Sequence, residues 1–316
     1  MRVGTWNVEN LFTPGAAYGP TEQGVFEEKV AGLASTITDA GLDVVAAQEV
    51  GDEDAFAALI DALGSGWAGE LSTRFATPHT IRNGIVSRLP IEAVSEHDAI
   101  PAELQGVPVD DNQTALTAMG RGALHIRVQT PDGAGVDVVS VHLKSKLITY
   151  PGGRFTPRDE AERARYAAYG LYRRAAEAVA VRGFADELID GEGDSRHVIV
   201  AGDFNDEVQA ATTQIIHGPP GSEIGTPGEN RPDQGDAWRL FNLAPLIPEE
   251  LRFSRVYRGR GELIDHLFVT NATRQIVTEA TTLTGGEPLA SIDDLPNTRR
   301  DSPYSDHALV VATLDL

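Results

Sequence analysis

Asp203, Asn205 and Asp206 follow directly on a short apolar run, Val198-Ile199-Val200-Ala201, in the stretch HVIVAGDFND. Such a density of β-branched residues marks a buried strand. Carboxylate and carboxamide groups at the end of a strand are held rigidly enough to bind a hard cation or a phosphate. Gly-Asp and Asn-Asp pairs are also ordinary turn residues, so this stretch alone reads first as a turn. Five other segments repeat the pattern. Asn7 follows Val3–Trp6, Glu49 follows Leu42–Ala47 and His142 follows Val136–Val141; Asp265 lies near the start of Leu263–Val269, and Asp306-His307 precede Ala308–Leu314.

The chemistry follows from residue type. Glu49, Asp203, Asp265 and Asp306 gathered in one pocket would repel, and their pKa values would rise unless a positive charge intervened. A divalent cation is the natural answer. All-oxygen ligation favours Mg²⁺ or Mn²⁺ over Zn²⁺, with Ca²⁺ as another oxygen-seeking alternative. A cation sharing a cleft with two imidazoles suits phosphoester hydrolysis: charge on the phosphate is neutralised, one group positions water and another protonates the leaving oxygen. Lys144 and Lys146, just past His142, are placed to meet phosphate oxygens. Glu9 and Asp206 read as solvated neighbours. Arg154 and the Arg252–Arg260 group read equally well as a hydrated surface.

Alternating strands and helices must position these groups. Phe26, Val30, Leu33, Ile37 and Ala40 form one helix face that Gly41 ends. Phe56, Leu59, Ile60 and Leu63 form another, with Asp52 as N-cap and Gly64 as stop. Asn83–Ser87 and Ile91–Val94 are strands around Leu89-Pro90. Residues 97–120 are a polar excursion, and Gly122–Gln129 with Val136–Val141 form a hairpin. The longest helix spans roughly Asp159–Asp190, with Tyr169, Tyr172, Ala176 and Val179 on one face, and a short one lies near Val208–Ile216. The 218–235 loop is too polar for the core. Arg252–Tyr257 is expected to pair with Leu263–Val269. Ile276–Leu283 is another strand, and 285–304 a last long loop. No repeat or linker divides the chain, which predicts two packed sheets with helices outside, in one domain spanning 1–316.

Composition narrows the class. At 316 residues with 41% hydrophobic content the chain can bury a sizeable core. The absence of cysteine excludes disulfides, thiolate metal sites and a cysteine nucleophile. No run is long enough for a membrane span, and the N-terminus lacks a signal-peptide pattern, so a cytoplasmic location is expected, with secretion left open. A net charge of −21 argues against a DNA-coating protein, though not against a phosphodiester hydrolase. Nothing in the sequence marks a protein partner.

TWNVENLF, AAQEV, SVHLKSK, VAGDFND, ELIDHLFV and YSDHALV occur in the order used by the endonuclease/exonuclease/phosphatase superfamily, the DNase I-like fold, which the chain resembles from Thr5 to Val310. The resemblance implies an α/β fold: a four-layer α/β/β/α sandwich of two mainly antiparallel sheets with a Mg²⁺-dependent site between the sheet edges. It implies Glu49 as principal metal ligand, with Asn7 and Asp306 beside it. Asp203 resembles the residue that orients or deprotonates water, and Asn205 the one that holds phosphate. His307 resembles the catalytic imidazole fixed by Asp265, and His142 the second histidine, binding phosphate or assisting the leaving group.

Departures from the family pattern narrow the substrate. The Cys-containing segment of inositol polyphosphate phosphatases is missing. Where DNase I-like nucleases place a carboxylate partner for the histidine of the HLKSK motif, HTIRNGIVSRLP offers Arg82 and Asn83. Asn83 joins Lys144 and Lys146 as a phosphate-contact candidate. HLKSK is closer to the phosphodiesterase and extracellular-nuclease branches. The expectation is a metal-dependent phosphodiesterase or nuclease acting on nucleic acid or a smaller phosphodiester. A phosphatase or sphingomyelinase-like lipid phosphodiesterase is the alternative; a catalytically lapsed binding protein on the same scaffold is the reading from another class.

Overall fold

The computed structural model describes residues 1–75, 81–285, 288–293 and 296–316. His79 and Thr80 of HTIRNGIVSRLP, and residues 286, 287, 294 and 295 of the 285–304 loop, lie outside the described residues. The chain opens with β1 (Arg2–Leu11), α1 (Gln23–Asp39), β2 (Val44–Val50), α2 (Glu53–Leu63), β3 (Ala68–Leu71) and β4 (Arg82–Ser87). It continues through β5 (Ile91–Ala99), β6 (Ala118–Gln129), β7 (Gly135–His142), α3 (Glu160–Ile189), β8 (His197–Asp203), α4 (Ala211–His217) and β9 (Phe241–Asn242). It ends with β10 (Arg255–Tyr257), β11 (Arg260–Glu262), β12 (Asp265–Val269), α5 (Asn271–Arg274), β13 (Val277–Leu283), β14 (Ser291–Ile292) and β15 (Leu309–Leu314).

Two six-stranded sheets carry the fold, in the orders β13-β15-β1-β2-β4-β3 and β5-β6-β7-β8-β12-β9. Each is antiparallel except for one parallel pair, β1 with β2 and β7 with β8. Side chains alternate across a strand, so a strand buried on both faces must be apolar at every position. Val44 and Ala46 point into the core between the sheets, with Val3, Ile126, Val138 and Ile199. Val45 and Ala47 point outward against Phe26, Leu33, Ile37 and Phe56 of α1 and α2. On the far side, Val181, Phe184 and Ile189 of α3 and Ile216 of α4 cover Val139, Val198 and Val200. The four expected layers result.

Local signals set the helix ends. The Asp52 carboxylate accepts from Ala55 N–H at the start of α2, and Gly64 follows its end at φ +89°. Asp159 accepts from Glu162 N–H in the same way for α3.

Some expectations change. Tyr172 is exposed, and α3 instead buries Arg174, Glu177, Ala178, Val181 and Phe184. Its i, i+3, i+4 line is offset because Arg174 and Glu177 serve the loop after His142. The excursion at 97–120 is shorter than expected, since β5 runs to Ala99 and β6 begins at Ala118. Arg255–Tyr257 pairs with β11, across Arg258 and Gly259 at φ +48° and +78°, and not with Leu263–Val269. Residues 265–269 are wholly buried and therefore take an interior place beside β8, with His266 opposite Gly202. Among the described residues no helix is long and apolar enough to cross a membrane.

Candidate active site

The two parallel pairs, one per sheet, end on the same edge of the sandwich. Asn7 lies opposite Gln48, where the β1–β2 register shifts before Leu11 pairs with Val50, and His142 lies opposite Asp203 where β7 and β8 finish. One side chain joins the two edges. The Asn7 amide donates to Glu49 Oε1 at 3.2 Å and across to Asp203 Oδ2 at 3.0 Å. Asp265 enters from β12 in register with Asp203, and its Oδ2 is 2.7 Å from His307 Nδ1. The Trp6 indole N–H donates to the His307 carbonyl at 2.8 Å, and Ser305 Oγ donates to the Asn7 carbonyl at 2.7 Å, so the segment before β15 is tied to β1.

The main chain at these strand ends is unusual. Glu9, Asn10, Glu49 and Asn205 all adopt φ between +49° and +63°, a region that L-residues other than Asn and Asp rarely occupy. Such strain persists only where surrounding contacts over-determine it. Here Asn10 N–H donates to Glu49 Oε2 at 3.1 Å, and Asn205 N–H to Asp203 Oδ1 at 2.8 Å. The Asn205 amide also donates to the Leu143 carbonyl at 3.0 Å, which orients it beside His142.

Burial and mutual repulsion set the protonation states. Burial, aided by the Asp265 charge, pushes Asp203 up to about 6. Burial alone would lower His307, but Asp265, Asp306 and Asp203 together outweigh it and push His307 up to about 10. His142 has the opposite fate: burial, then the nearby Arg121, His307 and Lys144 charges, hold it well below its ordinary value. Its Nε2 is 3.5 Å from Asp203 Oδ2, a long contact, and its buried Nδ1 has no hydrogen-bond partner.

Expected phosphate contacts are dispersed. Asn83 is fully buried, and its amide donates to the Gly122 carbonyl at 2.8 Å. Lys144 turns back onto the carbonyls of Ser145 and Leu147 at 2.9 and 2.8 Å, with its ammonium lowered to about 8 by burial and by Arg121 and Arg173. Lys146 lies 3.2 Å from Asp206. Asp206 and Glu9 are not solvated: Asp206 pairs with Arg174 at 3.1 Å, and Glu9 with Arg299 at 2.8 Å. Composition misses these groups because their partners are distant in sequence. Arg121 was also missed. It is half-buried, donates to the Leu143 carbonyl at 3.1 Å, leaves its Nε without a partner and is electrostatically coupled to Glu49 and Asp203. The only sequence hint is the glycine on either side of it.

The residues fit a hard divalent cation. Burial, then the Asp265 charge, pushes Asp203 up, and the buried Asp265 Oδ1 has no hydrogen-bond partner, so the pocket offers a buried carboxylate oxygen that a cation could satisfy. Two candidate ligand sets differ. Asp203, Asp265 and His307 place ligand atoms within 4.8 Å of one another. His307 Nδ1 and Asp265 Oδ2 already satisfy each other at 2.7 Å, so those two form a dyad, while Asn7 and Glu49 offer side-chain oxygens beside it.

The sequence matches the Endonuclease/Exonuclease/phosphatase family over residues 4–307. No curated protein matches the chain. Similar solved structures include truncated TDP2 from Caenorhabditis elegans, 15% identical at TM-score 0.59 over 99% of this chain and 96% of that one. The human Nocturnin catalytic domain with bound sulfate is 14% identical at TM-score 0.59, over 99% and 93%. The 3′ phosphatase NExo from Neisseria, bound to product DNA hairpin, is 18% identical at TM-score 0.54, over the whole of both chains. At these identities the structural likeness concerns the fold. The family match, spanning nearly the whole sequence, carries the assignment: the chain belongs to the endonuclease/exonuclease/phosphatase family, whose members hydrolyse phosphoester bonds.

Proposed function

We propose that the protein is a divalent-metal-dependent phosphodiesterase of the nuclease type, cleaving a P–O bond by in-line attack of water. The observation that carries the reading is Asn7 bridging Glu49 and Asp203, because it gathers groups from both sheets at one edge. Asn7, Glu49 and Asp306 would hold the cation, which when bound supplies charge neutralisation at the phosphate. Asp203, with a proton affinity close to neutrality, orients the attacking water and accepts its proton. His307, kept protonated by Asp265, offers Nε2–H to the charge that develops on the phosphoryl oxygens. Neutral His142 and the second N–H of the Asn205 amide bind phosphate oxygens.

The test is hydrolysis of bis-p-nitrophenyl phosphate with and without Mg²⁺ or Mn²⁺, on wild type, Asp203→Ala and His307→Ala. Each substitution is expected to lower kcat by about 10²–10⁴-fold. Equal turnover by all three proteins would end the catalytic assignment. DNA, RNA, a phosphomonoester and sphingomyelin compared side by side would then rank the substrates, with the phosphodiesters of nucleic acids expected to lead.

A further inference from the structure

Glu9 occupies an unexpected place beside the active site. Its Oε1 accepts from Arg299 Nε at 2.8 Å, and its Oε2 accepts from both Arg299 Nη2 at 2.9 Å and the Asp306 main-chain N–H at 2.9 Å. One carboxylate therefore links a guanidinium to the backbone of a residue assigned to the cation. Arg299 is fixed in turn: its Nη2 also donates to Ser302 Oγ at 3.1 Å and to the Tyr304 carbonyl at 2.8 Å. Glu9 itself is constrained at φ +49°, its N–H donating to Asn7 Oδ1 at 3.0 Å and its carbonyl accepting the buried Lys29 ammonium of α1.

Two neighbours of Arg299 make a natural comparison. Arg300 donates to the Gly19 carbonyl at 2.6 Å, and the Asp301 carboxylate accepts from Thr21 N–H at 2.6 Å. Both fasten the 299–301 stretch to the loop after β1 without touching a site residue. Arg299 alone of the three reaches Asp306 through a shared partner. A two-point guanidinium–carboxylate pair fixes orientation as well as distance, and this one is largely buried. Loss of one partner leaves the other's charge buried and unpaired, so the acceptor for Asp306 N–H would shift.

We propose that Arg299 is a positioning residue: through Glu9 it holds the Asp306 main chain, and hence the Asp306 carboxylate, where the cation binds. The proposal deepens, and rests on, the reading of a divalent-cation site at Asn7, Glu49 and Asp306. The hydrogen bonds of Arg299 go to Glu9, Ser302 and Tyr304, none of them a residue given a catalytic or cation-holding role above. A partner that orients a metal ligand is worth about 10–100-fold in metal affinity.

The test uses the full chain as wild type, Arg299→Ala, Arg299→Lys and Arg300→Ala. Mn²⁺ affinity is read by calorimetric titration without substrate, and amide exchange is read at Asp306. Arg299→Ala is expected to weaken Mn²⁺ binding about 10–100-fold and to speed exchange at the Asp306 amide. Millimolar guanidinium is expected to restore part of the affinity, and Arg299→Lys to fall between. Arg300→Ala should keep Mn²⁺ affinity within about twofold while lowering Tm. Wild-type affinity and exchange in Arg299→Ala, or an equal loss in Arg300→Ala, would overturn the proposal. If Arg299→Ala does not fold, Arg299→Lys with unchanged affinity and exchange overturns it. A wild type that binds no divalent cation instead sinks the metal-dependent reading, and exchange at Asp306 still tests Arg299.

Discussion

At the scale of single residues, the site separates three groups that begin with ordinary proton affinities. Asp203 rises to about 6, His307 rises to about 10 and His142 falls well below its usual value. Environments that push titratable groups apart let one site hold an acid, a base and a neutral binder at the same pH, which supports the roles proposed for these three. Because His307 and Asp265 act as one hydrogen-bonded unit, their substitutions should not add. Asp265→Asn is expected to lower kcat about 10²-fold or more, and His307→Ala with Asp265→Asn should be no slower than His307→Ala alone. Steady-state kinetics on the two single variants and the double variant check this; additive losses would place Asp265 in a separate role. The reactive groups were the most legible part of the sequence, since a carboxylate or imidazole that interrupts an apolar run stands out by type alone. Arg121 and Arg299 were not legible. What distinguishes them is their surroundings, an unpartnered Nε in one case and a carboxylate 290 positions away in the other.

At the scale of elements, capping and buried polar pairs decide where strands and helices stop, and each makes a stability prediction. Asp52 caps α2 through Ala55 N–H at 2.8 Å and also receives Thr13 N–H at 2.9 Å, binding the helix to the loop after β1. Asp52→Ala is expected to cost about 1–2 kcal/mol in urea denaturation. A loss below about 0.3 kcal/mol would show that water replaces the cap. On β12, His266 is fully buried with both ring nitrogens engaged, Nε2 at 2.9 Å from the Asp206 carbonyl and Nδ1 at 3.3 Å from the Asn242 amide. A carbonyl can only accept, so the ring carries its proton on Nε2, and a second proton on Nδ1 would face an N–H. Burial lowers this histidine to about 4. The unfolded chain, with an ordinary value of 6.5, takes up a proton first as pH falls. Its contribution is therefore complete above the unfolded value and is lost between about 6.5 and 4, by about 3 kcal/mol in all. His266→Gln should flatten the stability–pH curve across that window relative to wild type; parallel curves would refute the assignment. Periodicity found the longer strands and helices and missed the short β3, β9, β11, β14 and α5. It failed at Leu263–Val269, where alternation shows that a strand is buried but not which neighbour it pairs with, and complete burial sent residues 265–269 to the second sheet.

At the scale of the whole molecule, a chain with a net charge of −21 is proposed to act on an anion. Long-range repulsion should slow encounter with a polyanion, and salt should relieve it. The kcat/KM for an oligonucleotide is thus expected to rise as ionic strength increases from about 10 mM to about 150 mM, while bis-p-nitrophenyl phosphate changes much less. A steep fall for the oligonucleotide would reveal a basic track that the net charge conceals. The order of strands in the first sheet has a different consequence. Strand β1 sits between β2 and β15, with Arg2 opposite Thr313 and Thr5 opposite Val310. During synthesis its far edge therefore stays unsatisfied until residues 309–314 leave the ribosome, and unpaired edges of that kind invite association with other chains. Nascent chains stalled before residue 309 are expected to recruit chaperones or aggregate, and those released after residue 314 to escape both. A strand from far along the chain is the one that shields β1.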